Sequence, residues 1–252
     1  MTSRKYKKSP IAEAICEFQF EDEHHSSWDL ATPGLVYEEI RSIFPIRRQA
    51  ARFTLGIAAT SEEINPHFGT VPLMQFLRED EKALIQVGPN ILSINILKPY
   101  PSWQGFLPLI EQGFHAYQNV VEFQNIQRIG LRYINHINIL GQSIKLEDYF
   151  EFRPYVGSNL PQDYGTFGLG IQIPFESSRD ILNLQLTSLS GSSNQSEQAT
   201  ILLSLDYFLL KPKGITLNNV FTWIDTAHNH IEDAFEASIT QNLRDLFEEV
   251  KG

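Results

Sequence analysis

Residues 128–139 read RIGLRYINHINI, twelve positions along which polar and apolar side chains alternate almost without a break. A period of two puts Arg128, Gly130, Arg132, His136 and Asn138 on one face of a strand and Ile129, Leu131, Tyr133, Ile137 and Ile139 on the other. One wet face and one dry face predict an antiparallel strand with a core on a single side. Residues 12–20, AEAICEFQF, repeat the pattern, with Ala12, Ala14, Cys16, Phe18 and Phe20 opposite Glu13, Ile15, Glu17 and Gln19.

Each of these strands opens a similar run of elements. After the first, Thr32-Pro33 offers a helix start, Val36, Ile40, Ile43 and Phe44 follow at helical spacing, and Phe44-Pro45 closes the helix. Strands are predicted at Ala51–Ile57, Met74–Arg78, Ala83–Val87 and Ile91–Leu97, the last two joined by a Gly88-Pro89-Asn90 turn. Ser102 then caps a helix striped with Trp103, Phe106, Leu107, Ile110, Phe114 and Tyr117, and Pro108 implies a kink or a later start. After residues 128–139, a short helix is predicted at Lys145–Phe150. Strands follow at Phe167–Phe175, Ile181–Leu189 and Ile201–Leu209, and a helical stretch runs from about Asn218 to Val250. Uninterrupted, that stretch would span about 50 Å, so a break with a cap at Ser238 or Thr240 is expected.

The order predicts an α+β fold of two pseudo-duplicated β-α-β(4)-α halves, residues 11–124 and 125–252, behind a basic arm at residues 1–10. The halves form one continuous globular unit, a broad antiparallel sheet backed by two long helices. That plan looks like the TATA-binding-protein-like or helix-grip architecture, a fold analogy that carries no function with it.

Composition narrows the function classes. The chain has 252 residues, 30 acidic against 20 basic side chains, a net charge of −10 and 42% hydrophobic residues, enough to bury a real core. The acidic balance argues against a nucleic-acid partner, whose binding comes from neutralised phosphates. No apolar run is long enough for a membrane span, and the basic start has no apolar signal region. A single cysteine, Cys16, fits a reducing, cytoplasmic setting. Arg4, Lys5, Lys7 and Lys8 read as a frayed, solvated arm, and residues 188–199, SLSGSSNQSEQA, as a long hairpin loop.

Catalytic chemistry is sparse. His228-Asn229-His230 lies in a helical pattern, where residues two apart point away from each other, so the pair cannot share one ion. His228 with Glu232 or Asp225 is better spaced, and Asp22, Glu23, His24 and His25 form a second metal candidate in a loop. Two ligands do not make a zinc site without others from elsewhere. Cys16 falls on a dry face, no G-x-S-x-G elbow is present, and GTFGLG at 165–170 lacks the phosphate-loop ending. No cofactor is implied, and the reading leans away from an enzyme. The polar sheet face is the richest constellation: Arg128, Arg132 and His136, with Asn95, Gln172, Asn183, Gln185 and Asp206 sharing it. If the two first strands are neighbours, Glu13 and Glu17 would lie near Arg128 and Arg132. Either these ion pairs are structural, or the two arginines grip a carboxylate or phosphate.

Several stretches resemble a sporadically distributed prokaryotic family of unknown function with members about this long. They are Pro10-Ile11-Ala12-Glu13-Ala14 in the first strand, Phe44-Pro45, Arg128-Ile129-Gly130-Leu131-Arg132-Tyr133-Ile134-Asn135, and His228, Ile231, Phe235 and Ser238-Ile239-Thr240 in the last helix. The resemblance carries no activity or cofactor across. Its patchy distribution implies toxin–antitoxin or phage-defence gene sets.

The functional expectation is therefore a non-enzymatic interaction protein that binds a protein partner through the sheet face or through Leu243, Leu246 and Phe247 of the terminal helix. A homodimer through that helix is a variant of it. The alternatives are a sensor or carrier of a small anionic ligand held between sheet and helices, with Arg128 and Arg132 as clamp, and a metal-dependent hydrolase using His24, His25, His228 and Glu232.

Overall fold

The structure is a computed structural model that describes residues 4–21, 28–59, 64–141, 144–161, 165–189 and 198–250, without the side chains of residues 53–69. The strands are β1 (Ile11–Phe20), β2 (Ile46–Ala59), β3 (Ile64–Leu77), β4 (Ala83–Gly88), β5 (Ile91–Leu97), β6 (Ile126–Leu140), β7 (Gly168–Phe175), β8 (Asp180–Leu189) and β9 (Gln198–Leu209). The helices are α1 (Thr32–Ile40), α2 (Trp103–Gln118), α3 (Val220–Ser238) and α4 (Gln241–Leu246). These nine strands form an open antiparallel sheet hydrogen-bonded in the order β2-β3-β4-β5-β1-β6-β9-β8-β7, so the fold is α+β.

The chain divides into two compact units. One is Met1–Ile15, Leu97–Tyr100 and Arg128–Gly252, and the other Cys16–Ile96 and Pro101–Gln127. The division falls within β1, between Ile15 and Cys16, and again between Gln127 and Arg128.

In the second of these units, α2 starts where its serine implies. Ser102 Oγ accepts from Gly105 N–H, and Pro108 is carried within the helix. The dry face of the strands, with Phe18, Ile85, Val87, Leu92, Ile94 and Ile96, is buried with Val36, Ile40, Phe106, Ile110 and Tyr117 of the helices. Gly113 is required by closeness: a Cβ there would come within 2.8 Å of Ile94. Full burial of each such aliphatic or aromatic side chain contributes roughly 1.5–3 kcal/mol. On the opposite face an amide ladder crosses three strands, Gln75 Nε2 donating to Gln86 Oε1 (2.9 Å) and Gln86 Nε2 to Asn95 Oδ1 (3.0 Å), which also accepts from Ser93 Oγ. Strands β2 and β3 are each fourteen residues long, well beyond the predicted segments. Only Met74–Leu77 of β3 pair with β4, so the rest of the hairpin is a two-stranded ribbon.

In the first unit, β6 pairs with β9, β9 with β8 and β8 with β7. Helix α3 covers the face built from Leu131, Tyr133, Leu203, Leu205 and Tyr207, all 4% exposed or less and tied to it through Tyr133–His228 and Tyr207–Trp223 ring contacts. Two expectations need correction here. The helix predicted at Lys145–Phe150 is a single 3-10 turn, Leu146–Asp148, and three strands rather than four follow β6. Residues 145–150 offer too few positions to bury a helical stripe.

The predicted break in the last helix is present at Ile239-Thr240, but neither hydroxyl caps α4. Ser238 Oγ donates back to Ala234 O, and Thr240 Oγ1 donates to Asp148 O. The linker is held by partner segments instead: Ile239 bridges Phe150, and Thr240 N–H donates to Tyr149 O.

Candidate functional site

The face of β6-β9-β8-β7 turned away from α3 is polar, as the alternation of residues 128–139 requires. Register sets Arg132 beside Asp206, Asp206 beside Asn183 and Asn183 beside Gln172, while the next row holds Ile134, Ser204, Gln185 and Gly170. Ser204 is buried and Arg132, Asp206 and Asn183 half-buried, whereas Gln185, Gly170 and Gln172 are exposed. The face opens toward β7.

Its two arginines are placed differently. Arg128 is engaged by Asp206 at 3.5 Å, and its guanidinium lies 4.6 Å from the Phe208 ring and over Gly130, where a Cβ would come within 3.1 Å of it. Arg132 donates through Nε to Ser204 Oγ (3.0 Å) and makes no ion pair among the described residues. A guanidinium has five donors in a planar fork, and one hydrogen bond to a neutral hydroxyl leaves the outer edge for a second acceptor. Because both lie opposite α3, neither arginine can clamp a ligand between sheet and helix. His136 is half-buried on the same face, its N–H donating to Pro10 O. Glu13 is half-buried on β1. Glu17 accepts from Arg52 Nη1 (2.8 Å) and from Gln19 Nε2.

On the helix-covered face, the sequence pattern concealed a polar chain. Tyr100 and Tyr133 hydroxyls lie 3.0 Å apart, and Tyr133 shares a second hydrogen bond with His228 Nδ1 at 3.2 Å. Burial pushes the His228 imidazole down to about 4, against a smaller opposing effect of Asp225, so the ring is neutral near pH 7. Burial likewise pushes the Tyr100 hydroxyl up. His230 meets different rings of the same layer, 4.4 Å from Phe175 and 5.2 Å from Tyr207.

Asp180, which the sequence reading passed over, is a fully buried carboxylate. It accepts from Arg179 Nη2 (2.6 Å), Tyr207 OH (3.1 Å) and Trp223 Nε1 (3.1 Å), and so binds β8, β9 and α3 at one point. A buried charge with this many donors is stable in place and expensive to disturb.

The basic arm is not frayed over residues 4–8. Lys7 and Lys8 N–H donate to Glu248 O and Phe247 O, and Val250 N–H donates to Lys5 O. Tyr6 OH donates to Glu236 Oε1 at 2.6 Å, and its ring meets Phe247 edge-on at 5.7 Å. Arg4 pairs with Glu249 and Lys8 with Glu248. Of the terminal-helix residues expected at a partner, Leu243 and Phe247 are buried in the chain's own body, and Leu246 is 39% exposed.

Among the described residues no three His, Cys, Asp or Glu side chains stand together as metal ligands. Glu232 lies on α3 with His228. His24 and His25, with Asp22 and Glu23, lie outside the described residues, as does most of the 188–199 loop. No described helix is long and apolar enough to cross a membrane. No family model, no curated protein and no solved structure matches this chain.

Proposed function

We propose that this chain is a binding protein that takes a macromolecular partner, a protein presenting a carboxylate, on the polar face of β6-β9-β8-β7, with Arg132 as the anionic anchor. The observation that supports it is the unequal state of the two arginines: among the described residues Arg128 pairs with Asp206, while Arg132 is hydrogen-bonded to Ser204 and makes no ion pair. A half-buried guanidinium that makes no ion pair among the described residues, beside exposed Gln185 and Gln172 amides, is arranged for an incoming acceptor. A small free anion would use the same fork. An extended row of amides over several strands fits a larger surface better. An acidic body also suits a partner that is basic elsewhere. A toxin–antitoxin or phage-defence setting, and membership of the resembling family, rest on the quoted motifs alone.

We also propose that the two halves follow one duplicated plan of the TATA-binding-protein-like kind. Its support is the strand order, in which β1 and β6 are central and each is followed outward by the last strand of its own half.

Affinity capture from the native host with the wild-type chain and with Arg132→Glu tests the binding reading. A protein recovered by the first and lost by the second, at unchanged melting temperature, supports it. Equal recovery by both chains, or a wild type that carries only a bound species of a few hundred daltons by native mass spectrometry, removes it.

A further inference from the structure

Strand β7 ends the sheet, and β8 is its partner strand among the described residues. Exposed strand edges invite pairing, and proteins commonly blunt them with charge. The other edge strand, β2, does so with Arg47, Arg48 and Arg52. Strand β7, GLGIQIPF, has no charged residue, and neither has β8 from Ile181 to Leu189. Ile171 is 41% exposed at its centre.

Two glycines add an independent sign. Gly168 and Gly170 do not have positive φ angles. A Cβ at Gly168 would meet open space, and one at Gly170 would make only an ordinary contact with Gln185, at 3.6 Å. Glycine within a strand weakens it, and one of its uses there is to let another backbone approach closely.

We infer that β7 is a self-pairing edge, and that its occupant is the β7 strand of a second copy of this chain, added antiparallel across a two-fold axis. Charge favours this occupant: two copies of a chain with net charge −10 approach each other at lowest cost where local charge is absent, and a two-fold lets the same uncharged edge serve both sides of the ladder. The two-fold sets the middle of the strand against itself and buries Ile171. It also turns the Glu176 end of each β7 toward residues 165–168 of the other copy, which carry no charge. Pro174 lacks an N–H and confines the new ladder to the residues before it.

The test is sedimentation of the full chain from nanomolar to high micromolar concentration, for wild type, Ile171→Lys, and Leu140→Lys as an exposed control on β6. The expected result is twice the single-chain mass for wild type and Leu140→Lys, and the single-chain mass for Ile171→Lys, at equal far-ultraviolet circular dichroism. A wild type that remains a single chain overturns the inference, and so does an Ile171→Lys chain that still doubles. Should Ile171→Lys misfold, hydrogen exchange of the wild type decides: β7 amides must gain protection as concentration rises, and unchanged exchange there overturns the inference. It is independent of the Arg132 reading, which Ile171→Lys leaves intact.

Discussion

The Tyr133 hydroxyl stands between two partners, 3.0 Å from Tyr100 and 3.2 Å from His228, and so joins β6 to α3 through a hydrogen bond. The buried imidazole titrates at about 4 rather than the usual 6.5. Because the folded state then binds fewer protons than the unfolded chain between those values, stability rises with pH through this window. The contribution is complete above about pH 6.5 and lost as pH falls toward 4. His228→Gln should flatten this part of the melting-temperature profile relative to wild type. The difference between the two chains corresponds to at most ~3 kcal/mol across the window. Parallel profiles would show that the ring protonates without strain.

Asp180 gathers three donor groups from β9, α3 and its own neighbour Arg179 at a fully buried point. Asp180→Ala leaves the Tyr207 hydroxyl and the Trp223 indole N–H without their acceptor and Arg179 without its charge, and should cost ~3–5 kcal/mol. Asp180→Asn keeps one acceptor oxygen and should cost less, ~1–3 kcal/mol. Urea midpoints give the energies, and the near-ultraviolet dichroism of Trp223 reports the local loosening. Equal midpoints for both variants would contradict the assigned hydrogen bonds.

The two arginines of the open face should separate in a stability assay. Arg128→Ala loses an ion pair and the cover over Phe208 and Gly130, about 1–2 kcal/mol in all. Arg132→Ala loses one hydrogen bond from the charged guanidinium to a neutral hydroxyl, about 1 kcal/mol at this partly exposed site. Denaturant midpoints in the reverse order would mean that Arg132, not Arg128, is the structural member.

Tyr6 fastens the arm to the last helical segments, and burial together with the Glu236 carboxylate pushes its hydroxyl up. Tyr6→Phe keeps the ring contacts with Phe235 and Phe247 and should cost ~1–2 kcal/mol through the lost charged hydrogen bond. Tyr6→Ala should cost more and open residues 4–8 to limited proteolysis. Cleavage there in wild type at the rate of Tyr6→Ala would show the arm unfastened in solution.

Legibility in the sequence followed the physics of each element. Strands β1, β5, β6, β8 and β9 lie between a core and a wetter face or within the core, and their patterns are plain in AEAICEFQF and RIGLRYINHINI. Strand β3 extends into a ribbon where pairing comes from backbone hydrogen bonds, so Ile64–Leu73, with Pro66 and Pro72, carries no alternation to read, and Ile46–Gln49 of β2, opposite Met74–Leu77, holds a single apolar side chain. The polar face was placed correctly for Arg132, Asp206, Asn183, Gln185 and Gln172 because period-two reasoning assigns faces. It cannot say which arginine Asp206 prefers. Tyr133 was counted as apolar because its ring is, and its hydroxyl became visible only when α3 brought His228 to it. Asp180 was missed since its donors lie 27 and 43 residues away. One hint was present: an aspartate opening the apolar run ILNLQL.

Cys16 sits fully enclosed on β1, and enclosure pushes its thiol well up. As the sole sulfhydryl of the chain it can meet an alkylating reagent only when the layer above β1 comes apart. The molecule thus carries its own clock: the rate at which this one sulfur is labelled counts the openings of its interior, with no added probe.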